Sequence, residues 1–236
     1  MPTDPFSTVA ATYDEWYATP LGAFIVEEEE ALLAAAIGPA AAWQGSSPGA
    51  MSRRPRLLEI GAGTGWWSRR FAERGFDVTA LEPSAAMREA SSTGAGLPAI
   101  TWVSGRGEAL PFEAGTFEVV LLMTVVEFVA DPALVLAEAW RVLRAPGALI
   151  VGLLDPLSPW AALYRRLGDQ GIAPWASARF VTADDLAQML GRPPDALASG
   201  MWLAPGARQP FADANRSGQA AGNAGALTVL RWRKER

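Results

Sequence analysis

The chain has 236 residues, half of them hydrophobic, and a formal net charge of −5, enough length and apolar content for one buried α/β core. The acidic balance argues against a nucleic-acid partner, and the complete lack of histidine and cysteine removes the commonest general base and the usual zinc ligands, so no metal site is expected. The longest apolar runs break before membrane length and the first residues lack a basic stretch followed by an apolar one, so neither a membrane span nor a secretion signal is expected.

In chain order, residues 1–8 read as loose, and Tyr13-Asp14-Glu15-Trp16-Tyr17 precede Thr19-Pro20-Leu21-Gly22. A helix is expected from about Phe24 to Ile37, with the Glu27–Glu30 run as its solvated face, and residues 38–55 read as a linker. Leu57–Ile60 is an apolar strand that breaks into Gly61-Ala62-Gly63-Thr64-Gly65, and Ser68–Arg74 then opens as a helix that Gly75 stops. A strand, a glycine-rich turn and a helix begin a nucleotide-type βαβ unit. The dinucleotide fingerprint needs a third glycine three positions after Gly63, and Trp66 occupies that place, which argues against a dehydrogenase. A second strand, Phe76–Leu81, ends in Glu82-Pro83-Ser84, where a carboxylate can accept hydrogen bonds from two ribose hydroxyls. Ser84 can cap the next helix, which carries Met87 toward the base.

Val103-Ser104-Gly105-Arg106-Gly107-Glu108-Ala109-Leu110-Pro111-Phe112 comes next, then Gly115–Met123, a strand apolar enough to be buried on both faces. After Thr124–Ala130, Asp131-Pro132 starts a helix with Leu134, Val135, Ala139, Val142 and Leu143 at helical spacing; Arg144–Gly147 ends it before the strand Ala148–Leu154. A short helix to Leu167 and a loop through Trp175 follow, and Thr182–Asp185 caps another helix. Met201–Leu203 and Ala226–Trp232 read as a closing antiparallel pair, with Ala204–Gly225 between them as a mobile loop. Trp16, Trp160 and Trp175 fall in the covering segments, either as plain packing or as an aromatic pocket for a flat or apolar substrate.

The run Glu59-x-Gly61-x-Gly63-x-Gly65, the acid Glu82, the stretch Val103–Phe112 and the Gly115–Pro132 segment stand in one order that resembles class I S-adenosylmethionine (SAM) dependent methyltransferases, type 11 subgroup, across roughly residues 9 to 155. That subgroup includes quinone-biosynthesis enzymes. The resemblance implies a Rossmann-like seven-stranded sheet, mostly parallel with one antiparallel strand near the C-terminus, helices on both faces, and N-terminal helices with a lid insertion over the site. It implies a single domain over 1–236, with a cap at about 9–40, a lid at about 156–180 and the mobile loop at about 204–225. SAM is the implied cofactor, S-adenosylhomocysteine its product, and a cytoplasmic location follows from that cofactor. By the same resemblance Tyr13 and Tyr17 fold over the cofactor, and Glu59, Gly61, Ala62, Gly63, Thr64, Gly65, Glu82, Pro83, Met87, Gly107, Glu108, Thr124 and Phe128 surround it. Arg106 replaces an aspartate that relatives use on the adenine amino group; it cannot accept a hydrogen bond, so it either stacks on the adenine or points away and leaves the backbone of Gly107 and Glu108 to read the base. The expected reaction is methyl transfer to O, N or C of a small apolar or aromatic molecule, by a monomer or homodimer; the alternative is an inactive SAM-binding regulatory or partner protein. Any base must be a carboxylate or a tyrosine, with Glu127 and Tyr13 as first candidates and Asp155 and Tyr164 behind them; a purely structural Glu127 stays open.

Overall fold

The computed structural model describes residues 4–43, 53–91 and 98–236. Seven strands form one sheet: β1 (Arg56–Ile60), β2 (Asp77–Leu81), β3 (Thr101–Val103), β4 (Phe117–Met123), β5 (Leu143–Leu154), β6 (Ala196–Gly200) and β7 (Leu227–Lys234), in the order β3-β2-β1-β4-β5-β7-β6. β1 to β5 run parallel, and β7 lies antiparallel between β5 and β6, as the resemblance implies. Among the described residues seven α-helices accompany the strands: α1 (Pro20–Ile37), α2 (Trp66–Glu73), α3 (Ala85–Ala90), α4 (Pro132–Val142), α5 (Pro159–Asp169), α6 (Ala183–Leu190) and α7 (Phe211–Ala220). A 3₁₀ turn, Ala10–Ala18, leads into α1.

Strand periodicity divides the interior in two. Leu57, Val119, Leu121, Ala148 and Ile150 face one side with Leu33 and Ile37 of α1 and Phe71 of α2. Leu58, Ile60, Val120, Leu122, Leu149 and Val151 face the other, under Val135, Leu136 and Ala139 of α4 and Leu186 of α6. Alternate residues thus bury on both faces, which is why the central strands read as continuous apolar runs. The chain leaves β1 toward β2 and β3, then crosses back to β4, so a crevice opens at the C-terminal ends of β1 and β4, where open α/β sheets bind ligands.

Several local readings change. α1 begins at Pro20 rather than near Phe24, because the Thr19 hydroxyl accepts from Gly22 N at 3.0 Å and Pro20 suits the first turn. On α4, Leu134 is exposed while Val135, Leu136, Ala139 and Val142 are buried. The sixth strand lies at Ala196–Gly200, ahead of Met201–Leu203. The stretch 204–225, read as a mobile loop, contains α7. Its buried Asn215 accepts from Trp202 N (2.6 Å) and Leu203 N (3.2 Å) and donates to Glu28 (3.1 Å), so a composition typical of loops here supplies the bonds that pin a helix. Residues 44–52 of the expected linker and 1–3 of the N-terminus lie outside the described residues. Among the described residues no helix is long and apolar enough to cross a membrane.

Candidate functional site

The glycine turn is built on backbone that only glycine adopts comfortably. Gly61, Gly63 and Gly65 have φ of 70°, 57° and 80°. A Cβ on Gly61 would stand 2.6 Å from Val125 Cγ2, whereas Gly63 faces open space bounded by the Met87 methyl, 3.3 Å from where its Cβ would be. Gly61 N and Ala62 N donate to Leu81 O at 2.8 and 3.1 Å, locking the turn to the end of β2. There Glu82 accepts from Gly63 N and Ser84 N, each at 2.8 Å, while the Ser84 hydroxyl accepts from Met87 N at 3.2 Å and caps α3. Burial raises the Glu82 carboxyl above its ordinary range, opposed by those two backbone amides.

These tips line a cavity of about 470 Å³, a size typical of small-molecule sites. Tyr13, Gly61, Gly63, Glu82, Pro83 and Met87 face it from the β1–β2 side. Gly107, Glu108, Thr124 and Phe128 face it from the β3–β4 side, so ten of the expected cofactor residues line one cavity. Thr124 has φ of 50°, costly for a β-branched residue, and is held there by its N–H on Gly152 O at 2.8 Å. Arg106 reaches the cavity rim, mostly exposed, and pairs with Glu108 at 3.5 Å.

Five expected residues do not line the cavity. Glu59 is buried behind the turn, where it accepts from the Ser68 hydroxyl, and burial lifts its carboxyl to about 8. Ala62 and Gly65 lie outside the lining, and a Cβ on Gly65 would meet the Trp102 ring at 2.8 Å. The Thr64 hydroxyl donates to Asp14 at 2.6 Å, and Arg69 reaches the other Asp14 oxygen at 3.3 Å, so this pair straps the N-terminal turn to the glycine loop. Tyr17 stacks on Trp66 with centroids 4.1 Å apart, and burial raises its hydroxyl well above its ordinary range.

Glu127 also stands apart from the cavity lining. It is buried; Oε1 accepts from Leu154 N at 2.6 Å, Oε2 has no partner among the described residues, and burial lifts the carboxyl to about 7. Tyr13 does line the cavity, with burial pushing its hydroxyl up to about 12, so at neutral pH it can donate a hydrogen bond but is a poor base. Sequence reasoning missed Asp4, Pro5 and Phe6, which cover the opening, and Ser177 and Arg179, which reach it from beyond α5. The Phe6 ring meets Phe128 edge-on at 5.0 Å, and Arg179 N donates to Glu127 O at 2.7 Å. These contacts join residues more than fifty positions apart, and no local pattern announces them.

A family described as "Methyltransferase domain" matches residues 58–151. An uncharacterized protein of Mycobacterium tuberculosis is 36% identical over 182 residues, covering 77% of this chain and 56% of that protein. A demethylmenaquinone methyltransferase of Renibacterium salmoninarum is 35% identical over 96 residues, 41% of this chain and 40% of that enzyme. The chain thus spans little more than half the length of the mycobacterial relative. Among solved structures, a Thermotoga maritima SAM-dependent methyltransferase, titled a possible histamine N-methyltransferase, superposes with a TM-score of 0.65 at 21% identity over 98% of both chains. A Mesorhizobium loti SAM-dependent methyltransferase gives 0.55 at 16% identity over 76% of this chain and 91% of that one. Identities that low speak for the fold alone. With the match over residues 58–151, the strand order and the glycine turn facing Glu82 across one cavity, the chain carries a methyltransferase domain with the Rossmann-like fold of the SAM-dependent enzymes.

Proposed function

We propose that this protein transfers a methyl group from SAM to a nucleophilic atom of a small, flat or apolar molecule. The observation that carries the reading is that Gly63, Glu82 and the aromatic Tyr13, Phe6 and Phe128 meet in one cavity of about 470 Å³. The residues fit the cofactor: Glu82 offers carboxylate oxygens to ribose hydroxyls, Gly63 leaves the room a side chain would fill, and Met87 and Gly107 give an apolar floor and free backbone for adenine. SAM supplies a methyl group on a sulfonium, and the electron pair of the broken C–S bond stays on sulfur. The protein's own task is alignment and exclusion of water, which in favourable cases supplies roughly 7–11 kcal/mol. Phe6 and Phe128 close one side against solvent, while Asp14, bound to Thr64 and Arg69, keeps Tyr13 over the opening.

The test is formation of S-adenosylhomocysteine with a panel of amines, phenols and quinones, alongside calorimetry with SAM and with NAD. Micromolar SAM binding, no NAD binding and turnover of at least one acceptor class are expected. Tight NAD binding, or SAM binding with no turnover across a broad panel, would overturn the proposal.

A further inference from the structure

The cavity is unevenly charged along the sheet. At the β2 tip Asp4 and Glu82 face it, and both carboxylates are tied into the rim: Asp4 accepts from the Ser84 hydroxyl at 2.5 Å, and Glu82 accepts from two backbone amides. On the β3 side Arg106 pairs with Glu108 at 3.5 Å. These acids suit a cofactor that carries a sulfonium and an ammonium. Beyond the β4 tip, at the end away from Glu82, the lining continues through Val125, Val129, Ser177 and Arg179, which lie outside the set expected around the cofactor.

Arg179 stands exposed at the mouth of that end. Its backbone N–H donates to Glu127 O at 2.7 Å, which fixes this segment against the loop that follows β4. The backbone is extended at Ala178 (φ −69°, ψ 134°) and at Thr182 (φ −90°, ψ 164°), so consecutive side chains point to opposite sides. Phe180 lies under the Arg165 guanidinium of α5, 4.9 Å from its ring centroid, which turns Arg179 away from α5 and toward the cavity it lines. Among the described residues the Arg179 guanidinium donates no hydrogen bond and has no carboxylate within 4.0 Å. The nearby hydroxyls of Ser177 and Thr124 are committed to Pro174 O and Met123 O, each at 2.8 Å, so Arg179 has the N–H groups left to give. They form a planar fork that matches a carboxylate or a similar pair of anionic oxygens. The wall beside it is apolar and aromatic: Phe128 meets Phe6 edge-on at 5.0 Å and tilts against Trp175 at 5.9 Å.

We propose that the end of the cavity beyond β4 is the methyl-acceptor subsite and that it takes a flat acid, with the apolar body against Phe128 and Val129 and the anionic oxygens on Arg179. An anion there also complements the sulfonium, which points its methyl at the acceptor. The inference rests on the methyl-transfer reading and narrows the acceptor to an anion; Arg179 selects and orients it and takes no part in bond making.

The test uses the full chain, with and without S-adenosylhomocysteine, and three probes of one heavy-atom shape: anionic benzoate, neutral benzamide and cationic benzamidine. In ligand-observed NMR titrations benzoate should bind at least about fivefold more tightly than benzamide, the scale of one charge-assisted contact at a solvated mouth, and benzamidine most weakly. Arg179→Gln should level benzoate and benzamide while S-adenosylhomocysteine affinity stays within twofold. Arg179→Lys should keep part of the preference, and Arg106→Gln should leave it whole. Equal binding of benzoate and benzamide by the parent protein overturns the proposal, and so does a preference that survives Arg179→Gln or vanishes in Arg106→Gln. A tenfold loss of S-adenosylhomocysteine affinity in Arg179→Gln overturns it too, because the guanidinium would then hold the cofactor's own carboxylate. Benzoate preference in a protein that binds neither SAM nor S-adenosylhomocysteine would instead overturn the methyl-transfer reading and leave the acid site standing.

Discussion

Replacing Glu127 with glutamine separates the structural burden of a buried acid from any part in turnover. The parent carboxyl is lifted from 4.5 to about 7, chiefly by burial, while Leu154 N–H on Oε1 opposes the shift. Between those two pH values the folded protein holds a proton that the unfolded chain has released, so stability falls as pH rises and levels off above 7. At roughly 1.4 kcal/mol per unit the loss is about 3 kcal/mol, or roughly 6–12 °C in Tm for a protein of this size. The amide keeps the bond from Leu154 N and does not titrate. Its NH₂ stands where Oε2 has no partner, and that cost resembles the one the protonated parent already bears. Glu29 and Glu59 titrate in both proteins and cancel in the difference. Thermal melts from pH 4.5 to 8.5 should therefore show the variant gaining on the parent by about 3 kcal/mol as pH rises, with SAM affinity and turnover within about twofold. Parallel Tm curves across that range would refute the burial argument, and a large loss of kcat with unchanged SAM binding would return Glu127 to the chemistry.

Glu82→Ala should weaken SAM binding roughly 10- to 100-fold by calorimetry, the scale of a lost charge-assisted hydrogen bond; an unchanged Kd in the folded variant would remove Glu82 from the ribose. Arg106→Ala should leave SAM affinity within about threefold, since the side chain is 60% exposed and pairs with Glu108; a hundredfold loss would mean that the guanidinium clamps the ligand. Asp14→Ala frees the Thr64 hydroxyl and leaves Arg69 without its carboxylate, so faster amide exchange across Ala10–Ala18 and roughly tenfold weaker SAM binding are expected; unaltered exchange would show that the strap does not hold the turn.

The strands β1, β2, β4 and β5 were legible because sheets covered on both faces demand continuous apolar runs, as in Val119–Met123 and Leu149–Leu154. The glycine turn and Glu82 were legible because backbone at positive φ and a carboxylate at a strand tip are local requirements that one residue type meets. Helix starts at Ser84, Asp131 and Thr182 followed from caps that act over three residues. β6 was placed late for the opposite reason: Ala196–Gly200 is an edge strand with little apolar content, and its position is set by pairing with β7.

The charged residues near the site were the hardest to read, because a carboxylate's role depends on what surrounds it and not on its neighbours in sequence. Glu59, Glu82 and Glu127 each follow an apolar run, yet one is sealed behind the turn, one faces the cavity on two backbone amides, and one is wedged against Leu154. Periodicity puts Glu29 on the side of α1 that carries the buried Ile25, Val26 and Leu33, and Thr19-Pro20 fixes where α1 begins; it does not say that Arg70 and Arg74, forty residues on, claim Glu30. The Glu27–Glu30 run was read as uniformly solvated because each acid was judged by type. Judged by partners, Glu30 pairs with Arg70 and Arg74, Glu28 takes a hydrogen bond from Asn215, and Glu27 stays exposed.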